Sequence, residues 1–499
     1  MNRHLGRFLL AALSPRMIQR WGGVQAVRTF RRAAATVPAY RDFLTRLRVP
    51  INSIWTYDDF ARRVPVCDKE NYLRQYPLEM LCRHGTLSGK YTLERSSGYS
   101  GTPFFWLRAR NEDRKLRDHV EYMFRDMFQA HRTQTLVVVT WSQGTWVTGE
   151  KFARTVRHLG ESGRLKVTVV SPGINLDETI EILTHFLPRF EQTVMAGYPP
   201  FLRDIIVQGR ERGIDWPRHR VHLFTGGEGF PENWRDFMAE ALAIERINRH
   251  GAGQIIAGYG SADTGIGAGG ETPLALLVRR LAWRDQDLCR DLFGGKPSVP
   301  SVFQYEPTLL FAEQIDGELV FTCRSAMPLV RYNIHDRGGT ITLEHLTRVL
   351  RDHGYNHTTM LRDLGWPKET HYPLPLFYVF GRSDGTATIY GVNIYTEDIY
   401  QALSQRDVVS LHTGEFRVRT EYTGRATQRL TVQVRLRPET SPSPALSSAI
   451  SRQILNSLCD SNTEYRHLHD MKGTRVEPAI ELTHAPLGDG GNGFKHRYH

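Results

Sequence analysis

The sequence contains few cysteines, and their spacing excludes the common cysteine-based sites. Five cysteines are scattered over 499 residues, and no two of them form a Cys-x-x-Cys pair. This pattern argues against a structural zinc site and against a disulfide framework. It is typical of a protein from a reducing compartment, so we expect a cytoplasmic location.

Long apolar runs and blocks of like charge are also missing. The apolar run near the start, residues 8–13, is too short to span a membrane and poor as a signal core. The net charge of +11 favours anionic partners, but no run of five or more basic residues occurs. No zinc-finger, RNA-recognition or helix-turn-helix signature accompanies the charge. We therefore expect small anionic ligands, no nucleic acid and no membrane span.

Apolar residues make up 40% of the chain, enough for a sizeable core, and the length suggests two to four domains. Short apolar runs alternate with helical stretches, and we expect strands at 135–140, 166–170, 193–196, 221–224 and 254–257. This alternation predicts an α/β fold with largely parallel strands, whose ligand binds beyond the carboxyl ends of the strands. The pattern becomes β-rich at 300–337 and changes to a small α+β unit after residue 381.

Two local patterns before the first parallel strand predict helices. In VPVCDKE (64–70), extended residues lead to Asp68, which we interpret as a helix N-cap. Residues 106–130 carry many charges and read as one long helix.

A loop rich in serine and glycine, RSSGYSGTP (95–103), follows a β-capable run at 91–93. Its glycines, Gly98 and Gly101, allow a sharp turn and a close approach of the backbone to a ligand. The serine and threonine hydroxyls add donors beside the backbone N–H groups, so the loop can wrap an anion such as a polyphosphate. It is not a Walker A loop, because no Gly-Lys-Ser/Thr follows at the required spacing. An ordinary Ser/Gly turn is the alternative interpretation.

Further motifs follow this loop in a fixed order: GYGSAD (258–263), RYNIHD (331–336), GRSD (381–384) and GFK (493–495). In this order and at these separations the set resembles the adenylate-forming superfamily of acyl-CoA synthetases, most closely its phenylacetate–CoA ligase branch. The resemblance extends from Ala33 to Lys495. It implies a large N-terminal domain of α/β layers (1–380) with a β-rich subdomain at about 300–380. A small, mobile α+β C-terminal domain (381–499) would follow.

The resemblance also implies a set of ATP-binding residues: Ser96, Ser97, Gly98, Ser100, Gly101, Glu228, Tyr259, Gly260, Ser261, Asp336 and Arg382. In this scheme the loop cradles the β- and γ-phosphates, and Tyr259 stacks on the adenine. Asp336 accepts hydrogen bonds from both ribose hydroxyls, and Arg382 is directed at the same sugar. The alternatives are a surface ion pair for Asp336 and Arg382, and a solvated loop carboxylate for Glu228.

The chemical step is assigned by the same resemblance to the C-terminal lysine, Lys495, which would bring a point charge to the acyl carboxylate and the α-phosphate. Asp263 stands where the superfamily has a Mg²⁺-binding glutamate; because it is one methylene shorter, its contact with the metal can run through water. Asp384 resembles the hinge about which the C-terminal domain turns. The alternatives are a solvated lysine for Lys495, a turn or helix-capping aspartate for Asp263, and an ordinary Ser-Asp-Gly turn for Asp384.

The function implied by the resemblance is that of an AMP-forming acid–thiol ligase. ATP and Mg²⁺ would convert a small carboxylic acid into an acyl-adenylate, and coenzyme A would accept the acyl group. A carrier-protein thiol or an amine is the alternative acceptor, and a catalytically impaired nucleotide-binding relative is the alternative class. Aromatic residues at 141–146 and Tyr198 would suit an aryl or other flat acid, although core packing explains them equally well.

Overall fold

The computed structural model describes residues 13–95, 104–143, 147–295, 298–383, 385–405, 408–424 and 426–487. The first two strands, β1 (Tyr91–Arg95) and β2 (Phe105–Ala109), form an antiparallel hairpin. Residues 96–103 lie between these strands in the chain.

A single sheet of eleven strands dominates the described residues. Its strands are β3 (Thr135–Val139), β4 (Val167–Val170), β5 (Gln192–Gly197), β6 (Val221–Thr225), β7 (Ile255–Ser261), β8 (Gly265–Gly270), β9 (Ser301–Gln304), β10 (Leu310–Ile315), β11 (Glu318–Cys323), β12 (Leu329–Ile341) and β13 (Leu376–Arg382). Their spatial order is β10-β11-β12-β13-β9-β8-β7-β6-β5-β3-β4. Strands β3 to β7 pair in parallel, and the remaining neighbours pair antiparallel. The predicted parallel strands are thereby confirmed.

Helices cover the sheet. Those that precede the last strand of the sheet are α1 (Pro15–Thr36), α2 (Pro38–Arg46), α3 (Tyr57–Arg63), α4 (Arg110–Asp126), α5 (Val147–Glu161), α6 (Leu176–Phe186), α7 (Pro199–Glu211), α8 (Glu232–Ala241), α9 (Pro273–Arg284), α10 (Gln286–Phe293), α11 (Leu343–Asp352) and α12 (His357–Asp363). Alternate residues of the parallel strands enter two different cores: Val138 and Met195 pack in one, Val137 and Val194 in the other. Because both faces are buried, these strands read as continuous apolar runs in the sequence.

Strand pairing changes after β13, and the later strands pair only with each other within the described residues. We call residues 385–487 the C-terminal segment. It contains a hairpin, a three-stranded sheet and three helices: β14 (Ala387–Ile389), β15 (Val392–Ile394), α13 (Thr396–Leu403), β16 (His412–Thr423), β17 (Thr427–Leu436), α14 (Pro444–Ser461), α15 (Thr463–Lys472) and β18 (Ala479–Thr483). This arrangement confirms the predicted α/β class with a smaller α+β unit at the end.

The two predicted helices in the first part of the chain need correction. No α-helix follows Asp68; its carboxylate accepts from the Asn71 backbone N–H (2.7 Å), and the Asn71 side chain accepts from the Asp68 N–H (2.8 Å). These reciprocal bonds close a turn instead of capping a helix. The charged helix begins at Arg110 rather than at 106, because 105–109 form the second strand of the hairpin. Glu112 accepts from the Ala109 N–H (2.9 Å) and so caps that helix.

Candidate active site

A cavity of about 1190 Å³ opens beyond the carboxyl ends of the parallel strands. Its walls include the residues that follow β5 and β6, the end of β7, residues 332–337 of β12 and part of the C-terminal segment. The predicted residues Glu228, Tyr259, Gly260, Ser261, Asp263, Asp336 and Arg382 all line this cavity. The predicted Ser96, Ser97, Gly98, Ser100, Gly101, Asp384 and Lys495 lie outside the described residues.

Asp336 and Arg382 are directly opposite each other on the antiparallel strands β12 and β13. The Arg382 Nη1 lies 3.5 Å from the Asp336 Oδ1 and donates to the Ile334 carbonyl (2.6 Å). The Tyr259 hydroxyl donates to the Asp336 Oδ2 (2.6 Å). Burial, with the Asp336 carboxylate beside it, raises the pKa of Tyr259 well above its usual value, so the phenol keeps its proton.

The Tyr259 ring is half-buried and packs against three phenylalanines, Phe303, Phe321 and Phe377, at centroid distances of 5.6, 6.0 and 5.0 Å. These rings fix the side chain at the cavity wall while its hydroxyl is held by Asp336. The arrangement provides a rigid aromatic surface directly beside a carboxylate.

Asp263 lies in the turn that joins β7 and β8. The Ser261 hydroxyl accepts from the backbone N–H groups of Asp263 (3.1 Å) and Thr264 (3.0 Å), so Ser261 shapes this turn. The Asp263 side chain is largely buried, and its Oδ2 accepts from the Tyr332 hydroxyl (2.6 Å). Burial, followed by the Asp263 charge, raises the pKa of Tyr332 well above its usual value.

Lys69 is a cation of this site that the sequence analysis missed. Its Nζ lies 3.7 Å from the Asp263 Oδ1, and its side chain lines the same cavity. A short parallel bridge brings it there, since Cys67 donates its N–H to the Arg331 carbonyl (3.0 Å) and accepts from the Asn333 N–H (2.7 Å). The only sequence signal is a lysine beside Asp68, in a stretch that we interpreted as a helix start.

His335 connects this N-terminal turn to Asp336. Its Nε2 lies 3.5 Å from the Asp68 Oδ2, and its Nδ1 lies 3.5 Å from the Glu318 Oε2. Its backbone adopts φ = 63°, a left-handed conformation that non-glycine residues seldom occupy. Burial raises the pKa of Asp68, but hydrogen bonds from His335 and from the Asn71 backbone N–H outweigh burial. The pKa of Asp68 is therefore below its usual value. The segment with Lys69 and the strand with Asp336 are thus joined by a hydrogen-bonded pair.

The hairpin β1–β2 is tied to the same turn by a buried arginine. Arg108 donates from Nε to the Glu94 Oε2 (2.8 Å) and from Nη2 to the carbonyls of Ala262 and Asp263, the latter at 3.0 Å. Glu94 also pairs with the buried Lys151. Because Glu94 lies on β1 and Arg108 on β2, this network fixes both strands of the hairpin relative to Asp263.

Glu228, in the turn after β6, faces the C-terminal segment. Its Oε2 accepts from the Gln428 side-chain amide on β17 (2.7 Å). Burial raises the pKa of Glu228 to about 8, although hydrogen bonds from Gln428 and the Gly391 backbone act in the opposite direction. The next residue, Gly229, accepts from the Tyr422 hydroxyl at 3.5 Å. Glu228 is therefore a half-buried contact residue rather than a solvated loop carboxylate.

The described side chains offer few ligands for a metal ion. No cluster of three or more His, Cys, Asp or Glu side chains is placed to hold an ion in the described ranges. Asp263 offers one carboxylate, and Tyr332 and Lys69 already occupy its two oxygens. Such a group suits Mg²⁺ that keeps its waters and takes phosphate oxygens as its other ligands.

Among the residues that the structure describes, no helix has the length and apolar character that a membrane crossing needs.

Comparison with known proteins gives matches only among solved structures. No protein-family model matches the sequence, and no curated protein sequence matches it. A 2-hydroxyisobutyryl-CoA ligase in complex with 2-HIB-AMP and CoA, in the thioesterification state, is 16% identical, with a TM-score of 0.60 over 95% of this chain and 88% of that chain.

Two other structures of 2-hydroxyisobutyryl-CoA ligase have TM-scores of 0.52. One is in the postadenylation state and is 16% identical over 95% of this chain and 88% of that one. The other is an open conformation, 17% identical over 96% and 89%. At these identities the likeness concerns the fold, while the phenylacetate–CoA ligase branch stays a prediction. The chain thus shares its fold with the 2-hydroxyisobutyryl-CoA ligase structures.

Proposed function

We propose that this chain is an AMP-forming ligase that activates a small carboxylic acid with ATP and then transfers the acyl group to a thiol, that of coenzyme A. The observation that supports the proposal most strongly is the convergence of Tyr259, Asp263, Asp336, Arg382 and Lys69 on one cavity. These residues come from distant parts of the sequence, and the cavity lies where α/β sheets bind ligands.

The nucleotide would be held by Asp336 and the ring of Tyr259. An ionised carboxylate has about four acceptor sites. Asp336 can therefore accept from ribose hydroxyls in addition to Tyr259, and its contact with Arg382 holds it in place. The rigid Tyr259 ring would flank the adenine, as the sequence predicts, and Gly260 and Ser261 would follow the base along the strand. The loop at 96–103 would supply donors to the phosphates.

Activation joins two anions, so the site must supply positive charge near the reacting phosphate. Lys69 provides a fixed cation beside Asp263, and Lys495 is the proposed second cation, carried on the C-terminal tail. Mg²⁺, when bound with ATP, would neutralise phosphate charge, with Asp263 facing one of its waters. Glu228 would lie at the wall between the nucleotide and the acyl group.

Coenzyme A is the proposed acceptor, and the acid is a small carboxylate for which an aryl group is one option. The 2-hydroxyisobutyryl-CoA ligase with the same fold was solved with an acyl-AMP and CoA, which supports this choice. The proposal includes a domain boundary at residue 381 with Asp384 as the hinge, because strand pairing changes after β13. It also includes the cytoplasmic location that the unpaired cysteines favour.

A mass-spectrometric screen tests this function. The protein is incubated with ATP, Mg²⁺ and a carboxylic acid library, and the mixture is searched for acyl-AMP. At least one acid should give an acyl-AMP, and added coenzyme A should convert it to the thioester. At subsaturating ATP the Asp336→Asn variant should form much less product, while Asp215→Asn, at an exposed surface ion pair, should form as much as the wild type. Retained ATP binding without any acyl-AMP would instead favour the impaired relative.

A further inference from the structure

A buried ion pair joins the C-terminal segment to helix α7. The Lys472 Nζ, at the end of α15, donates to the Asp204 Oδ2 at 2.9 Å. The two side chains are only 6% and 5% exposed. Both charges have therefore left water, and Lys472 depends on Asp204 for compensation, while the other Asp204 oxygen also lies 3.4 Å from the Arg203 Nη1.

The residues around this pair are complementary to it. The Tyr390 hydroxyl, in the turn between β14 and β15, donates to the same Asp204 oxygen at 3.1 Å. The Lys472 ammonium also lies 4.4 Å from the Phe201 ring centroid and 5.2 Å from that of Tyr390. Cation–π attraction of this kind adds to the ion pair where water is excluded. We call Asp204, Lys472 and Tyr390 the interdomain cluster.

The interdomain cluster exists only when the C-terminal segment lies against the cavity. Asp204 belongs to α7, before the change in strand pairing, while Tyr390 and Lys472 belong to two elements after it. The same turn places Gly391 against Tyr198, so closely that a Cβ on Gly391 would lie 2.0 Å from the ring. The Tyr390 backbone N–H donates to Gln428 (3.0 Å), whose amide in turn holds Glu228.

We propose that Asp204 and Lys472 are positioning residues that hold the β14–β15 turn over the cavity and so favour the acyl-transfer step, since the 2-hydroxyisobutyryl-CoA ligase matches this arrangement better in its thioesterification state (TM-score 0.60) than in its postadenylation state (0.52). The inference rests on the proposed function only for its kinetic consequence. Separation of the segment from α7 would remove the carboxylate partner of Lys472 and would leave Asp204 with Arg203 as its neighbouring cation. The pair therefore favours the arrangement in which Gly391 and Gln428 complete the cavity wall, and it does not touch the reacting atoms itself.

Hydrogen–deuterium exchange of the intact chain tests the positional part. In Lys472→Met and in Asp204→Asn, amides of residues 386–394 should exchange faster by about tenfold or more, since local opening sets their exchange. Amides of β5 and β6 should keep their wild-type rates. Because each substitution breaks the same ion pair, amides in the double variant should exchange no faster than in the single variants. Unchanged exchange at 386–394 in both single variants would overturn the proposal.

Three further variants separate a specific effect on the β14–β15 turn from general destabilisation of the protein. Arg435→Gln removes an ion pair with Glu415 inside the C-terminal segment and away from the cavity, and it should leave exchange at 386–394 unchanged. Lys472→Arg keeps the charge and should exchange like the wild type. Lys472→Met could also raise amide exchange in β5 and β6, which would indicate general destabilisation. In that case Tyr390→Phe, which removes only the hydrogen bond to Asp204, must raise exchange at 386–394 and leave β5 and β6 unchanged. A failure there would equally overturn the proposal.

The kinetic part uses the acid found by the acyl-AMP screen. Lys472→Met and Asp204→Asn should slow transfer from acyl-AMP to coenzyme A by about tenfold, as expected for a shifted population, while Arg435→Gln should not. The Km for ATP should stay within about twofold of wild type, because the pair contacts no part of the nucleotide site. Unchanged transfer with faster exchange would overturn the assigned step. If the wild type makes no acyl-AMP at all, the proposed function fails, while the exchange result still decides the positional claim.

Discussion

The ammonium of Lys69 lies 3.7 Å from the carboxylate of Asp263, inside a cavity that also contains Asp336. This pair places a fixed positive charge beside the carboxylate that we propose as a Mg²⁺-binding group. The charges offset each other in the free protein, and an incoming polyphosphate would compete with Asp263 for the lysine.

Replacement of Lys69 should impair the chemical step. We expect Lys69→Met to lower kcat/KM for acyl-AMP formation by about 100-fold, since removal of one fixed electrostatic donor costs roughly that much. Lys69→Arg should retain part of the activity. The measurement is acid-dependent exchange of labelled pyrophosphate into ATP. Lys368→Met, at an exposed lysine, is the control; an equal loss in both variants would show that overall charge, not Lys69, is responsible.

Replacement of Asp336 should impair nucleotide affinity. In Asp336→Asn the ribose loses charged acceptors, and we expect ATP to bind about 10- to 100-fold more weakly, the usual range for hydrogen bonds to an ionised group. Equilibrium binding of ATP by calorimetry measures this directly. Asp215→Asn serves as the matched surface control. An unchanged dissociation constant in Asp336→Asn would remove Asp336 from the nucleotide site.

The pKa of Glu228, raised by burial to about 8, predicts a pH dependence of stability. Between about pH 4.5 and pH 8 the folded chain keeps this proton while the unfolded chain has lost it, so the folded state binds more protons. Stability should therefore fall as pH rises through this window. Between about pH 4.5 and pH 8, the free energy of unfolding should therefore fall by about 2–4 kcal/mol less in Glu228→Gln than in the wild type.

Urea unfolding at several pH values measures this effect. Burial also raises the pKa of Glu464 to about 8, so Glu228→Gln should remove only part of the slope. Glu464→Gln should remove another part in the same direction. Identical pH profiles for the wild type and the double variant would contradict the buried, protonated state of both carboxyls.

Gly391 should tolerate no side chain, because a Cβ would lie 2.0 Å from the Tyr198 ring. We expect Gly391→Ala to displace the β14–β15 turn and to raise hydrogen exchange at residues 386–394. Gly414→Ala is a close control, since Gly414 has a similar positive φ of 82° but nothing within 4 Å of its Cβ position. Backbone strain alone costs about 1 kcal/mol in both variants, so only Gly391→Ala should loosen the turn. Equal effects would show that strain, not contact with Tyr198, is decisive.

Much of the fold could be predicted because its signals are local. The parallel strands are buried on both faces, and such strands give apolar runs that a sequence displays directly. The helix predicted at Asp68 was wrong because Asp68 and Asn71 satisfy each other's backbone groups, which is an equally local but competing arrangement. Helix capping and turn closure use the same residue types, so composition does not separate them.

The site could be predicted only where a motif marks it. Asp336, Arg382, Tyr259 and Asp263 were found through their motifs, and they do line one cavity, although their roles stay predictions. Lys69 could not be found this way, since a non-local bridge between Cys67 and Tyr332 brings it to Asp263. The pairing of Asp204 with Lys472 is likewise a contact between distant segments, and neither residue belongs to a pattern in the sequence.

The central claim is that this cavity brings ATP and a carboxylate together for reaction. Acid-dependent exchange of labelled pyrophosphate into ATP, measured with the wild-type chain across a broad acid panel, tests it most directly. The account predicts that at least one acid raises exchange well above the acid-free rate and that Asp336→Asn lowers the rise at least about tenfold when ATP is well below saturation. Exchange that no acid raises, from protein that binds ATP and is folded, would contradict it.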